Sequence, residues 1–185
     1  MQTEIIIAGF GGQGIMLIGQ MLSYAALAEG RETCWIPSYG PEMRGGTANC
    51  TIVVADNDIG SPIIYSPQCA MVFNRPSLDK FGPMVKPGGL LFINSSLIDV
   101  TLDRDDIAIF RIPANAIAIN FGNTRGANMV MLGAYLGVSR LVTIESVLSI
   151  VKMKFQNKPD LIELNRMLIE RGYEIGLSGE KEVQV

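Results

Sequence analysis

Ile5-Ile6-Ile7-Ala8-Gly9-Phe10-Gly11-Gly12-Gln13-Gly14 is the stretch whose reading decides the fold. Its first four residues form a continuous apolar run of mostly β-branched side chains, the mark of a parallel strand buried on both faces. The glycines stop that strand and fit G-x-G-x-x-G. Apolar residues Ile15, Ile18, Leu22, Ala25 and Ala26 then recur at helical spacing. Backbone N–H groups at such a helix start, with the macrodipole behind them, favour an anion or a carboxylate. Gly9, Gly11, Gly12 and Gly14 are therefore the candidate anion site, or simply the tight turn that a first βα unit requires.

A dinucleotide site needs one further part, an Asp or Glu at the end of the second strand, about 20 residues beyond the glycines. After Gly30 closes the helix, the second strand is expected over Thr33-Cys34-Trp35-Ile36, which leads into Pro37 without an acid. Glu32 precedes that strand and Glu42 lies well beyond it. The glycines thus read first as a turn, and NAD, NADP or FAD is disfavoured.

The next stretch, 37–50, packs Pro37, Gly40, Pro41, Gly45 and Gly46 around Tyr39, Glu42, Arg44 and Asn49. Proline fixes φ and glycine admits unusual φ, so a loop of this composition presents its polar side chains in a held shape. In an extended backbone Glu42 and Arg44 share one face, where they pair with each other or with a group from outside.

The remaining chain alternates strands and helices. A strand over 48–55 places Cys50, Ile52 and Val54 on one face and Asn49, Thr51 and Val53 on the other, and Asp56-Asn57-Asp58 then turns the chain. The proline-broken segment 59–67 reads as a loop or edge hairpin. Strands are expected over 69–73, 90–94 and 107–112, with helices from Pro76 to Met84 and over 114–119. Beyond these the chain reads as helical: a nearly apolar, buried helix over 128–136, a helix capped by Thr143, and an amphipathic helix over 160–175 with Leu161, Leu164, Leu168 and Ile175 on one side. A polar tail from Ser178 is expected to fray. This is an α/β pattern: a Rossmann-like open, mostly parallel sheet with helices on both faces, in a single domain.

Composition narrows the function. The 185 residues suffice for one core, and 48% apolar against 18% charged residues makes a lean surface, as expected if a partner covers part of it. A net charge of −3 and the lack of any basic run argue against nucleic acid and membrane surfaces. There is no histidine, so a Ser-His or Cys-His nucleophile cannot be built from this chain. Cys34, Cys50 and Cys69 are isolated, which argues against a metal or iron–sulfur cluster held here and fits core thiols in a reducing cytoplasm. No catalytic residue and no metal ligand is expected.

In order, Gly9-Phe10-Gly11-Gly12-Gln13-Gly14, Ser38-Tyr39-Gly40-Pro41-Glu42-Met43-Arg44-Gly45-Gly46, Ser61-Pro62, and Lys86-Pro87-Gly88-Gly89 before a strand ending Asn94-Ser95-Ser96 resemble the gamma subunits of the 2-oxoacid:ferredoxin oxidoreductases. The resemblance runs from Ile5 to about Gly172 and implies a gamma-type catalytic domain over 1–176 followed by a polar tail over 177–185. It implies a non-autonomous subunit of an enzyme that decarboxylates a 2-oxoacid, forms the acyl-coenzyme A and passes electrons to ferredoxin. Thiamine diphosphate, iron–sulfur clusters and coenzyme A would be carried through alpha, beta and, where present, ferredoxin-like delta subunits. A separate chain of this length looks most like the 2-oxoglutarate members, with pyruvate, branched-chain and indolepyruvate members open. On this reading Tyr39, Glu42, Arg44, Gly45, Gly46 and Asn49 face those subunits or coenzyme A, and the isolated chain is free to form a homo-oligomer. A stand-alone nucleotide-binding oxidoreductase and a scaffold protein that docks through the loop remain the alternatives.

Overall fold

The apolar run near the start of the chain becomes the middle of a sheet. In the computed structural model, which describes residues 1–40 and 47–183, six strands are present: β1 (Gln2–Phe10), β2 (Glu32–Tyr39), β3 (Thr47–Ala55), β4 (Cys69–Val72), β5 (Leu90–Asn94) and β6 (Ala108–Ile112). They lie in the order β2-β3-β1-β4-β5-β6. The three pairings from β1 through β6 are parallel, while β3 runs antiparallel to both β1 and β2.

Strand alternation sorts the core into two layers. Ile5 and Ile7 face the larger one with α1 (Ile15–Ala28), α3 (Ala114–Asn120), α4 (Ala127–Ser139), α5 (Ile144–Lys154) and α6 (Pro159–Ser178). Ile6 and Ala8 face the smaller one, beneath α2 (Arg75–Phe81). Helix starts follow local chemistry: Asn74 accepts a hydrogen bond from the Ser77 N–H at 2.8 Å, with Pro76 in the first turn, and Thr143 accepts one from the Ser146 N–H at 3.3 Å.

The closest packing joins α4 to α6. Glycines 133, 137, 172 and 176 line the seam, and a Cβ on Gly172 would stand 2.1 Å from the Val130 carbonyl oxygen. The buried side of α6 is Asn165, Leu168, Ile169, Gly172, Ile175 and Gly176, whereas Leu161 and Leu164, expected on the same stripe, are only partly covered.

Two further expectations are corrected. Much of the stretch read as a loop over 37–50 is strand, because β2 runs on to Tyr39 and β3 starts at Thr47. Pro37 sits opposite Cys50 in an edge strand, where proline's missing N–H is tolerated. The strand that enters β1's left flank is therefore β3, and β1 and β2 are not neighbours. The tail does not simply fray after Ser178: the Arg111 N–H donates to the Lys181 carbonyl at 2.7 Å, and the Val183 N–H to the Arg111 carbonyl at 3.2 Å. Val183 is buried there, giving the tail an apolar anchor on β6.

Candidate functional site

The carboxyl ends of β1, β4 and β5 meet at the glycine turn. Gly12 and Gly14 have φ of 99° and 75°, values that disfavour any side chain. Gln13 locks the turn: its Oε1 accepts from the Phe10 N–H at 2.6 Å and its Nε2 donates to the Phe73 carbonyl at 3.2 Å. Gly9 makes room for this, since a Cβ there would stand 2.5 Å from Gln13 Oε1. Gly14 makes room for Asn128, whose Nδ2 donates to the Gly14 carbonyl at 3.3 Å and ties α4 to the turn. Each of these glycines thus has a structural reason, and Gln13 and Asn128 are partners that the motif alone did not reveal.

Gly14 is also the N-cap of α1 and supplies no side chain to the first-turn N–H groups. Those groups open into a depression of about 330 Å³ bordered by Gly11, Gly12, Gly14, Ile15, Tyr39 and Ala48, among others. A helix start without a capping side chain, at the carboxyl edge of a parallel sheet, is chemically suited to an anionic group. Tyr39 stands over it, 57% exposed at the end of β2. Tyr39 and the glycine turn thus border the same depression. Asn49 is not part of it: Tyr39 pairs with Ala48, and the next position alternates to the opposite face, where Asn49 borders a small hollow beside Pro76 and Lys80. Glu42, Arg44, Gly45 and Gly46 lie outside the described residues.

On the other side of the turn is a cavity of about 110 Å³ bordered by Gln13, Asn94, Asn115, Thr124 and Arg125. Asn94, at the carboxyl end of β5, is fully buried. Its Nδ2 donates to Asn115 Oδ1 at 2.8 Å, while its Oδ1 has no partner among the described residues. An asparagine closing an apolar strand beside a glycine turn was the available signal for this polar corner, and it was not read as a site.

The described side chains do not fit a metal or an iron–sulfur cluster. Among the described residues no group of three His, Cys, Asp or Glu side chains is placed to hold a metal ion. Burial pushes the Cys50 thiol up to about 12 despite its contact with the Trp35 indole N–H, and burial pushes Cys69 higher still. Thiolates, the form that binds metal, are thus strongly disfavoured at both positions. Among the described residues, the strand beside β1 enters this edge with Thr47 and Ala48 and brings no acid for the ribose of a dinucleotide.

A family model described as pyruvate ferredoxin/flavodoxin oxidoreductase matches residues 4–175. The chain is 38% identical over 173 residues to ketoisovalerate oxidoreductase subunit VorA of Methanothermobacter marburgensis, across 92% of this chain and 36% of that protein. It thus spans little more than a third of the VorA relatives it matches, 36% of their length. It is 34% identical over 188 residues to 2-oxoglutarate synthase subunit KorC of the same organism, across 98% of this chain and 100% of the relative. Among solved structures, the gamma subunit of a keto/oxoacid ferredoxin oxidoreductase from Geobacter sulfurreducens superposes with a TM-score of 0.86 at 26% identity, over 98% of this chain and 99% of that one. With that family match spanning nearly all of a sheet whose carboxyl edge carries the glycine turn, the chain belongs to the pyruvate ferredoxin/flavodoxin oxidoreductase family.

Proposed function

We propose that this chain is the gamma subunit of a cytoplasmic 2-oxoacid:ferredoxin oxidoreductase, with 2-oxoglutarate as the favoured substrate. The complex would convert the 2-oxoacid and coenzyme A to the acyl-coenzyme A and carbon dioxide, passing two electrons to ferredoxin. The observation that carries this reading is the end-to-end correspondence with KorC, 98% of one chain against 100% of the other. The chain's own chemistry is consistent: it has no histidine and no set of side chains fit for a cluster among its described residues. Thiamine diphosphate and the iron–sulfur clusters would then belong to alpha, beta and delta partners.

In that assembly the role of this chain is positional. The uncapped start of α1 and Tyr39, together with Glu42, Arg44, Gly45 and Gly46 from the segment that follows β2 in the sequence, would meet the catalytic subunits or coenzyme A entering between them. Asn49, on the opposite face, would meet a partner only through a separate contact. No helix among the described residues is long and apolar enough to cross a membrane.

Affinity purification of the tagged chain from its source cells tests the assembly. Co-elution of a thiamine-diphosphate-binding chain and a cluster-binding chain, with 2-oxoacid-dependent ferredoxin reduction, is the expected result; a chain recovered alone, or with partners lacking both, would refute it. The 38% identity to VorA supports a second substrate reading, a branched-chain 2-oxoacid. Relative kcat/KM for 2-oxoglutarate, 2-oxoisovalerate and pyruvate in the purified complex decides between them.

A further inference from the structure

At the amino ends of β1, β4 and β5, the far end of the sheet from the glycine turn, the strands and the last turn of α4 border an open cavity of about 640 Å³. That volume lies within the range of about 300–1,000 Å³ common for small-molecule sites. Cys69, Tyr135 and Leu141 border it and are each buried. The Tyr135 side chain is 1% exposed, and its hydroxyl has no hydrogen-bond partner among the described residues. Ser139, one helical turn on, lies near that hydroxyl and also borders the cavity, without completing a hydrogen bond to it. A buried phenol left in this way is poised to bond to a group brought in from outside.

The rim is cationic, with Arg31, Lys86 and Arg140 facing a single carboxylate, Asp56. Arg31 is committed to Asp56, at 2.8 and 3.1 Å, and to the Leu141 carbonyl at 2.9 Å. Lys86 pairs with Glu4 at 3.5 Å. The Arg140 guanidinium has neither an ion pair nor a hydrogen bond among the described residues. Arg140 is also the one non-glycine residue described with a positive φ, 50° at the C-cap of α4. Glycine is the usual occupant of that conformation, and a side chain there is disfavoured. Arg140 is exposed and also borders a neighbouring hollow beside Glu29 and Glu145, so its guanidinium is free to turn to a ligand at the rim.

We infer that this cavity binds a small organic anion with an apolar body, its carboxylate or phosphate held by Arg140 and an oxygen on its body accepting a hydrogen bond from Tyr135. The glycine turn lies at the opposite end of α4, where Asn128 reaches Gly14, so such a ligand would not compete with an anion at the turn. The inference does not depend on the assembly proposed above.

The test uses the purified full chain and the anionic dye 1-anilinonaphthalene-8-sulfonate. Saturable fluorescence with one dye per chain is expected, reversed by hexanoate or hexyl phosphate but not by hexanol. The stronger of the two competitors identifies the head group. Arg140→Gly is expected to weaken dye and acid by about tenfold or more. Its melting temperature should stay the same or rise by a few degrees, because glycine suits the left-handed position. Wild type is expected to prefer 6-oxoheptanoate over heptanoate by about threefold or more, and Tyr135→Phe to abolish that preference. The inference fails if the dye does not saturate, if hexanol displaces it as well as hexanoate does, or if Arg140→Gly binds as tightly as wild type.

Discussion

β4 and β2 belong to one sheet and are treated in opposite ways. All four residues of β4 are buried, whereas none of the eight in β2 is fully buried and five are exposed. The reason is their place in the topology. β4 is parallel to both neighbours, and helix layers cover its two faces; β2 is an antiparallel edge strand that α1 covers on one face only. Packing dictates side chains in the first region. The second is freer to carry side chains for recognition, and it ends at Tyr39. Stability and recognition should therefore separate between the two, and substitutions on each side can break or sharpen that division.

The largest effect is expected in the packed half, at the α4–α6 seam. A Cβ on Gly172 would meet the Val130 carbonyl oxygen at 2.1 Å, and one on Gly133 would meet the Ile169 carbonyl oxygen at the same distance. These neighbours are backbone, so the helices must move apart and surrender much of the larger core. Gly172→Ala should lose about 3 kcal/mol or more, enough to leave little folded chain, as measured by urea unfolding. A variant within about 1 kcal/mol of wild type would show that the seam is not close-packed.

The cysteines draw the same contrast more gently. Cys34 on β2 is partly exposed, while Cys50 and Cys69 are buried. Ellman's reagent should label one thiol per native chain and three in denaturant. Burial, with the Trp35 contact opposing it weakly, raises Cys50 from an ordinary 9.0 to about 12. An unfolded chain thus ionises this thiol at lower pH than the folded one does, and above about pH 9 it binds fewer protons. The stability contributed by the neutral thiol is complete below that pH and declines as pH rises toward 12, by about 1.4 kcal/mol per pH unit. Cys69 behaves in the same direction. Urea-unfolding free energies between about pH 8 and 10 should fall less steeply in Cys69→Ala than in wild type, by about half a proton on average and approaching one proton at the upper end. Equal slopes would mean that Cys69 is not protected from solvent.

Sequence periodicity made the packed half legible: β5 occupies Leu90–Asn94 as expected, and Pro113 and Thr143 mark the starts of α3 and α5. Apolar runs and caps are local signals, and they survive translation into structure. The hairpin was harder to read because Pro37 and the polar Ser38 and Tyr39 resemble a loop, and only pairing with β3 makes them a strand. The glycines of α4 and α6 carry no local sign that they face each other across two helices. Likewise, the motif announced Gly9 and Gly14, while the bonds of Gln13 and Asn128 depend on Phe73 and on α4, far away in the chain. The tail misled for the same reason: its anchor is Arg111 in β6, not anything within the tail itself.

The smallest effect on stability, and the greatest on assembly, is expected at the hairpin end. Tyr39 is 57% exposed and borders the α1 start, so truncating it removes little buried surface. Tyr39→Ala should lower stability by no more than about 1 kcal/mol. Aromatic and arginine side chains anchor interfaces more often than other residues do, so Tyr39→Ala and Arg44→Ala should each weaken binding of the catalytic subunits, or of coenzyme A in the assembled enzyme, by about 2 kcal/mol or more. Size-exclusion chromatography of co-expressed subunits and the KM for coenzyme A measure these two outcomes. If Arg44 instead only stiffens its own turn by pairing with Glu42, its removal should change stability by at most ~1 kcal/mol while assembly and turnover stay intact. Normal assembly and a normal KM in both variants would remove the hairpin from the interface and place recognition elsewhere on the sheet.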